Sequence, residues 1–467
     1  GELAVDIGRL GTDPGLNADL VTVGGVSEIG GGVAATYRLG ETNVIPETGR
    51  QEFVIMSAQG GLSLGDGFAV RPSAVAQYQA GRSGNELVLS YEIDFANTGI
   101  RQQTNANQTS LGRHLQDSFT SGALAGDAAR STEALIALEG ISQFSAALDS
   151  LGAELYSNTQ VSTLRSALGF GDAMMSCSAR DAAANDAWRL VRDGQCGWLR
   201  VGGSRLDQEA TANSVGFDVS TFQIAGGVDY EAAPDWHLGC ALSYENKSLD
   251  MTNSASADGN YFQIGAVIKR RFGPAQVSAA LSAGAGEFDT SRAIFSGETA
   301  KGTQDLWNVS ARRRADYSLV RQDCFVTPRL DLGVNHVATK AFRETGTSGL
   351  DLDVDGSSET YVSISPAVEF GGETRLGNGM IARPSLTLGL THFLSSAVPS
   401  TTARLESASG TVPGFVSNAE FDRTYFDIKA GVDLFAGDHL TVKAAAFASF
   451  SDNSRSGGIE AKLEFTF

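Results

Sequence analysis

From Trp236 to Glu245 hydrophobic and polar residues trade places along the chain. Trp236, Leu238, Cys240, Leu242 and Tyr244 share one parity, and His237, Ser243 and Glu245 share the other. A period of two marks a strand with two unlike faces. The pattern recurs. Val326, Leu330, Leu332 and Val334 oppose Thr327, Arg329, Asp331 and Asn335. Phe426, Ile428, Ala430, Val432 and Leu434 oppose Asp427, Lys429 and Asp433. It also ends the sequence: Ile459, Ala461, Leu463, Phe465 and Phe467 alternate with Glu460, Lys462, Glu464 and Thr466. About twelve such strands fit between Cys196 and Phe467, near 197–203, 220–230, 236–244, 260–272, 275–286, 306–320, 325–335, 361–370, 380–393, 425–435, 440–450 and 459–467. Strands of this kind predict an all-β membrane protein, a 12-stranded antiparallel transmembrane β-barrel, with one face on lipid and the other on a watery lumen.

The connections support that reading. Short turns (AAPD, GP, RQD, GETRLGNG, AGDH) alternate with Ser/Thr/Gly-rich loops such as DMTNSASADG and AIFSGETAKGTQ. Short inner turns opposite longer outer loops are a porin-type rhythm. The polar parity then lines the lumen with Glu245, Lys269, Arg271, Arg312, Arg314, Arg329, Asp331, Glu369, Arg383, Asp427, Lys429, Asp433 and Lys443, joined by Lys462 and Glu464. One residue breaks the pattern. Strict alternation puts Arg313 on lipid, which would cost ~2–4 kcal/mol at mid-membrane. A bulge, or a level near an interface, would relieve it.

Upstream the pattern changes twice. Residues 1–103 hold short β-runs with Gly-rich turns: AVDIG, NADLVTVGG, FVIMSAQGGLSLG and ELVLSYEIDF. Each is too short for a domain, but stacked in register they could share a core as the end of a β-helix. Residues 104–193 are rich in Ala, Leu, Ser and Gln. Leu135, Leu138 and Ile141 recur at helical spacing. The stretch ALDSLGAELYSNTQVSTLRSALGF reads as a helix ended by Gly169 and Gly171, and DAAANDAWRLVRD as a second short one. The expected division is therefore a β-helix stub over 1–103, an α-helical linker and pore segment over 104–193, and the barrel over 194–467. A twelve-strand barrel should just admit one helix of about 10 Å. On that helix Glu154, Arg165 and Asp172 could pair with Arg312, Arg329 or Asp427.

Composition narrows the function classes. The net charge of −19 argues against nucleic acid as a partner. With 42% hydrophobic residues the chain is not disordered. No window approaches the ~20 apolar residues of a spanning helix. The opening GELAVDIGRL has neither a basic nor an apolar leader region, so export predicts a processed or truncated piece of a longer precursor. Of four cysteines, Cys177 and Cys196 flank a polar stretch at a spacing that suits a disulfide in an oxidising compartment, with two unpaired thiols as the alternative. Cys240 and Cys324 fall on the lipid parity and should be free.

Chemistry-bearing motifs are sparse. Asp351, Asp353, Asp355 and Gly356 resemble the start of a calcium loop, but the closing Glu is replaced by Val362. Leu350, Leu352 and Val354 alternate with these aspartates, which favours an extended hairpin. Histidines at 114, 237, 336, 392 and 439 sit in no nucleophile motif. No Cys/His spacing fits zinc, and no P-loop occurs. No catalytic residue, cofactor or metal site is expected.

The final KLEFTF, the twelve-strand rhythm, the GWLRVGG first strand and the ALDSLGAELYSNTQ helix together resemble the C-terminal region of a monomeric (type Va) bacterial autotransporter. FVIMSAQGGLSLGDGF and ELVLSYEIDF resemble the last rungs of its passenger β-helix. The resemblance implies an outer-membrane translocator that anchors and helps export its own N-terminal passenger, with a helix left in the pore. It implies Ile459, Ala461, Leu463, Phe465 and Phe467 as the barrel assembly signal. It also implies outer-membrane lipid and lipopolysaccharide, the barrel assembly machinery and periplasmic chaperones as partners of a monomer. A surface adhesin acting through the β-helix and a plain diffusion porin are the competing readings.

Overall fold

Alternation of side chains dictates the main body of the structure. In the computed structural model, residues 2–8, 17–39, 48–177, 179–180, 191–192, 195–377, 380–408, 410, 412–436 and 440–466 are described. Twelve long strands form one antiparallel barrel. They are β1 (Cys196–Gln208), β2 (Phe217–Ala233), β3 (Trp236–Met251), β4 (Ala255–Phe272), β5 (Ala275–Ala293) and β6 (Thr299–Tyr317). They continue as β7 (Cys324–Thr339), β8 (Ser357–Gly372), β9 (Ile381–Phe393), β10 (Thr424–Ala436), β11 (Leu440–Phe450) and β12 (Ser454–Thr466). Each pairs with its neighbour, and β1 pairs with β12 from Cys196↔Thr466 to Gln208↔Ser454, so no edge is left. Two short rim strands, Leu319–Arg321 and Thr374–Arg375, extend the wall at the inner turns. At the tight β4–β5 turn Gly273 has φ +64°, a conformation only a residue without Cβ adopts freely.

Burial follows parity. On β4, residues from Ala255 to Lys269 alternate between buried odd and outward even positions. Leu242, Phe262, Ile264, Leu281, Phe426 and Ile459 are exposed large apolar residues on the outer wall. In water such a surface would aggregate; in a bilayer it is the required solvent contact. Cys240 and Cys324 are free and lie on this wall.

The strands run longer than the pattern suggested. β5 and β6 have 19 residues each, whereas a membrane crossing needs about 9–11. The expected loops DMTNSASADG and AIFSGETAKGTQ are therefore mostly strand, leaving only 252–254 and 294–298 as turns. The outer ends of β3–β6 stand clear of the bilayer, where their Ser, Thr and Asp face water. Arg313 lies on the outward parity, and the ladders on both sides of it are unbroken. No bulge relieves it. It sits one β-strand turn's length above Tyr317, at the inner end of β6.

Among the described residues, five α-helices precede the barrel. These are α1 (Thr98–Gln103), α2 (Ala106–Thr120), α3 (Ala129–Ile136), α4 (Ile141–Leu151) and α5 (Glu154–Met174). Asn105 caps α2 in a reciprocal box with Gln108. Leu135 and Ile141, expected on one helix, fall on α3 and α4, because Gly140 is extended between them. The single long helix expected after Ala146 is also two: Gly152 is extended and separates α4 from α5. Gly169 and Gly171 do not end α5, which runs on to Met174. Of the DAAANDAWRLVRD segment, residues 181–190 lie outside the described residues, and Val191–Arg192 is a strand paired with Ala179–Arg180, not helix.

The first hundred residues form short strands in mostly parallel pairs. Glu2–Gly8 lies beside Gly32–Arg38, Val21–Val23 beside Gln51–Ala58, and Val26–Ile29 beside Gly61–Leu64. An antiparallel pair, Gln79–Ser83 with Glu86–Tyr91, closes the stack. One apolar cluster joins this stack to the helices and to the barrel mouth. It includes Ile7, Val33 and Leu87, then Leu115, Phe144 and Leu148, then inward-facing Leu249, Met251 and Phe288. The barrel mouth thus carries inward apolar residues among its polar ones, a feature the sequence reading missed.

Candidate functional site: the occupied barrel lumen

Helix α5 runs down the inside of the barrel from Glu154 at the outer mouth to Met174 near the inner rim. Its middle stretch is polar almost all round, yet Ser157, Asn158, Thr159, Gln160, Ser162 and Thr163 are buried. Such a helix would gain little from a hydrophobic core. A polar lumen satisfies it, because inward side chains of the strands supply hydrogen-bond partners.

The upper third is held by neutral groups. Thr159 Oγ1 donates to Gln304 Oε1 at 2.7 Å, and Gln304 Nε2 donates to the Tyr156 carbonyl at 3.1 Å. Gln160 Nε2 donates to the Ser400 carbonyl at 3.0 Å. Glu154 accepts from Asn107 Nδ2 at 2.7 Å and from the Val215 amide at 2.8 Å, which ties α2 and the β1–β2 loop to the helix start. Burial pushes the Glu154 carboxyl up, and these hydrogen bonds oppose that shift.

Lower down, charge takes over. Lys247 Nζ donates to the Ser162 carbonyl at 3.0 Å and stands 3.2 Å from Glu245. Arg312 donates to the Leu168 carbonyl at 3.0 Å. Arg314 bridges Asp172 at 2.6 Å and Asp331 at 2.8 Å. These anchors lie on either side of Gly169 and Gly171, and they offset the ~1 kcal/mol that each interior helix glycine costs. Lys462 Nζ donates to the Ser176 carbonyl at 2.9 Å. Just below, Cys177 and Cys196 are joined as a disulfide between the helix end and the start of β1.

The expected pairings of the helix charges change in detail. Asp172 meets Arg314, with Lys429 at 3.9 Å, and not Arg329. Arg165 reaches Ser454 Oγ at 3.1 Å and stacks 4.7 Å above the Tyr425 ring, and not Asp427. Glu154 is met by neutral donors.

The lumen residues named from the sequence all lie on the inward parity. Glu245, Lys269, Arg314 and Asp331 are buried. Arg312 and Arg329 both approach Asp331. Arg271 reaches Asp235 at 3.8 Å. Arg383 stacks 4.1 Å above the Phe325 ring. Asp427 accepts from Thr391 Oγ1 at 2.7 Å, and Lys443 stands 3.4 Å from Asp433 and 3.1 Å from Glu464. Glu369 lines the open side of the lumen. In the terminal strand Ile459, Ala461, Leu463 and Phe465 face outward; Phe467 lies outside the described residues.

Among the inward charges that sequence reasoning left out are Arg200, Asp229, Lys247, Arg292 and Glu460. Parity alone could have found them. It could not have found Gly265. A Cβ there would lie 2.3 Å from Met174 Sδ and 2.9 Å from the Leu281 carbonyl, so this bare position lets the helix end press on the wall. Nor could it have found Glu344, which accepts from Arg292 Nε at 3.0 Å, from the Tyr156 hydroxyl and from the Leu352 amide at 2.7 Å, fastening an outer loop to α5.

Helix α5 does not sit on the barrel axis. It lies against β2–β7. Between it and β8–β12 a cavity of about 910 Å³ remains, bordered by Arg200, Arg383, Asp433, Lys443 and Glu460. At ~30 Å³ per molecule this space holds roughly 30 waters, so it is a hydrated slot and not a packing defect.

The other candidate motifs resolve into ordinary structure. Asp353 lies on an extended strand (Leu352–Val354), 3.8 Å from Arg404, and Arg404 reaches Asp355 at 2.7 Å. Leu350, Leu352 and Val354 are buried. His336 and His392 bond Thr360 and Thr424 across the outer wall, and His439 lies outside the described residues.

A family model described as autotransporter beta-domain matches residues 197–446. Among solved structures, the translocator domain of autotransporter NalP from Neisseria meningitidis superposes with a TM-score of 0.51 at 14% identity, covering 67% of this chain and 99% of that one. An extracellular serine protease from Serratia marcescens is 21% identical over 281 residues, which is 60% of this chain and 26% of that protein. The chain thus spans about a quarter of the length of this curated relative.

Proposed function

This chain belongs to the autotransporter β-domain family, an outer-membrane translocator of type V secretion, and from that premise we propose how its three parts share the work. The barrel anchors the chain. Helix α5 is the stretch left in the pore once the segment before it has passed outward. The parallel strands of residues 2–70 act as the last rungs of a passenger β-helix and template what precedes them. The barrel assembly machinery and periplasmic chaperones deliver the chain, and no catalysis resides in it.

One observation carries this reading. The chain descends the lumen as α5 and turns at Cys177 beside Cys196, where β1 begins and β12 ends. The described residues before Glu154 are therefore on the opposite side of the membrane from both barrel ends. Folding outside biases export, because each rung that stacks buries apolar surface and cannot slide back. The continuous apolar cluster from Val33 through Phe144 to Phe288 gives the first rungs a platform to fold against.

The test is surface exposure on intact cells. A protease-cleavable tag inserted at 48–50, before the strand Gln51–Ala58, should be cut from outside while a tag after β12 stays protected. Protection of the first tag would overturn the proposal. A plain diffusion porin predicts that removing residues 1–176 leaves conductance unchanged.

A further inference from the structure

The outer wall carries charge in two places. An upper ring includes Asp218, Asp250, Asp258, Glu287, Asp305 and Arg455, well above the hydrophobic belt. Below that ring, among the described residues of the twelve strands, only two outward positions are charged: Arg270 and Arg313. Both are exposed, and none of the ion pairs among the described residues includes either one.

They are also neighbours. Arg270 on β4 pairs with Val277, and Arg313 on β6 pairs with Ala279, two positions along the same intervening strand. Their backbones are thus about 12 Å apart, two strand spacings across and two residues along. Between them on β5 lie Val277 and Ala279, with Ala315 beside Val277 on β6, and these small side chains leave a shallow floor. Arg270 is held in place: its guanidinium lies 4.6 Å from the Trp236 ring and 4.6 Å from the Phe272 ring. Both aromatics flank inner turns, at the level where amphipathic rings meet headgroups. Arg313 stands somewhat deeper, so its long side chain must reach toward the same inner interface to be solvated.

We infer that Arg270 and Arg313 clasp the phosphate of an anionic glycerophospholipid in the inner leaflet, with Val277 and Ala279 of β5 as the floor of the site. The inference rests on the outer-membrane barrel reading. Charge selects the headgroup class. Two guanidiniums with no carboxylate beside them attract a phosphate and repel an ammonium, so phosphatidylglycerol is favoured over a zwitterionic lipid. Arginine suits the task because its planar fork meets two phosphate oxygens at once. Such a site explains how Arg313 is tolerated without a bulge: its counter-charge comes from lipid.

The experiment uses the full chain in nanodiscs of phosphatidylcholine with one-fifth phosphatidylglycerol, and native mass spectrometry of the retained lipid. Wild type should keep phosphatidylglycerol in preference, and the preference should fall as salt rises. R270Q/R313Q should lower retention about tenfold, the equivalent of one charge-assisted contact. R270K/R313K should fall between, and R455Q in the upper ring should match wild type. Equal retention of both lipids by wild type, or unchanged retention in R270Q/R313Q, would overturn the proposal. If that variant fails to insert, a salt-insensitive preference in wild type overturns it equally. Failure of wild type itself to give a heat-modifiable barrel would instead remove the barrel reading.

Discussion

His114 shows how one side chain can fasten two layers. It is buried on α2, with Nδ1 2.8 Å from the Pro413 carbonyl and Nε2 accepting from the Leu405 amide at 3.1 Å. That geometry requires the neutral ring with its proton on Nδ1, since Nε2 must accept. Burial is the main cause that lowers its pKa, helped by Arg404 and opposed by the Pro413 bond and Asp117. The sign follows. A histidine that the unfolded chain protonates at its ordinary value, about 6.5, resists protonation here, so docking is strongest above that value and weakens as pH falls below it. Protection against hydrogen exchange in 400–418, taken relative to the intrinsic rate at each pH, should fall several-fold from pH 7.5 to 5.5, and His114→Gln should remove that dependence; a wild-type protection that is flat with pH contradicts the assignment. The cysteines make a second residue-scale prediction. Alkylation without reductant should modify Cys240 and Cys324 alone; a peptide linking Cys240 to Cys324 would refute their assignment as free, and labelling of Cys177 or Cys196 would refute their bridge. Closing that loop should contribute about 3 kcal/mol, read as a lower unfolding temperature for Cys177→Ser.

At the scale of elements, β12 and α5 are each held by contacts the sequence reveals unequally. The terminal strand was legible because parity is its whole content: Ile459, Leu463 and Phe465 are exposed on the lipid side while Lys462 and Glu464 are buried. Replacing Phe465 and Phe467 with Ser should cut barrel insertion several-fold, read as loss of the heat-modifiable band. Wild-type insertion of that variant would contradict a signal role. Helix α5 was legible as a helix but not in its limits. Glycines at 169 and 171 looked like a stop, because the lumen donors that sustain the helix come from β6, far away in sequence. The same blindness hid the break at Gly152 and the partner of Asp172. Asp172→Asn should leave Arg314 with Asp331 alone, which Arg312 and Arg329 already share. One side of Asp172 faces the hydrated slot, so the loss should be about 1–3 kcal/mol, localised to faster exchange of the 168–174 amides. No change there would mean that the Arg312 bond to Leu168 carries the anchor by itself.

For the whole molecule, the strand count and the inward charges followed from period-two alternation, and a helix before the barrel from period-3.6 spacing; its place in the pore followed from the resemblance to a family. The offset of that helix did not, because it depends on which wall positions are bare. Gly265 on β4 makes room for Met174, and the mixture of small and charged side chains on β8–β12 leaves the other half open to water. Occupancy sets conductance. The slot is only part of the lumen, and a helix about 10 Å across fills the rest. Ohmic conduction scales with open area, so deletion of residues 1–176 should raise single-channel conductance severalfold, and the intact chain should still conduct weakly. Intermediate geometry tests the same point without a deletion. Gly265→Leu would push Met174 away from β4 and narrow the slot, so conductance should fall below wild type while the barrel band persists. Equal conductance in all three proteins would place the helix outside the lumen and return the porin reading.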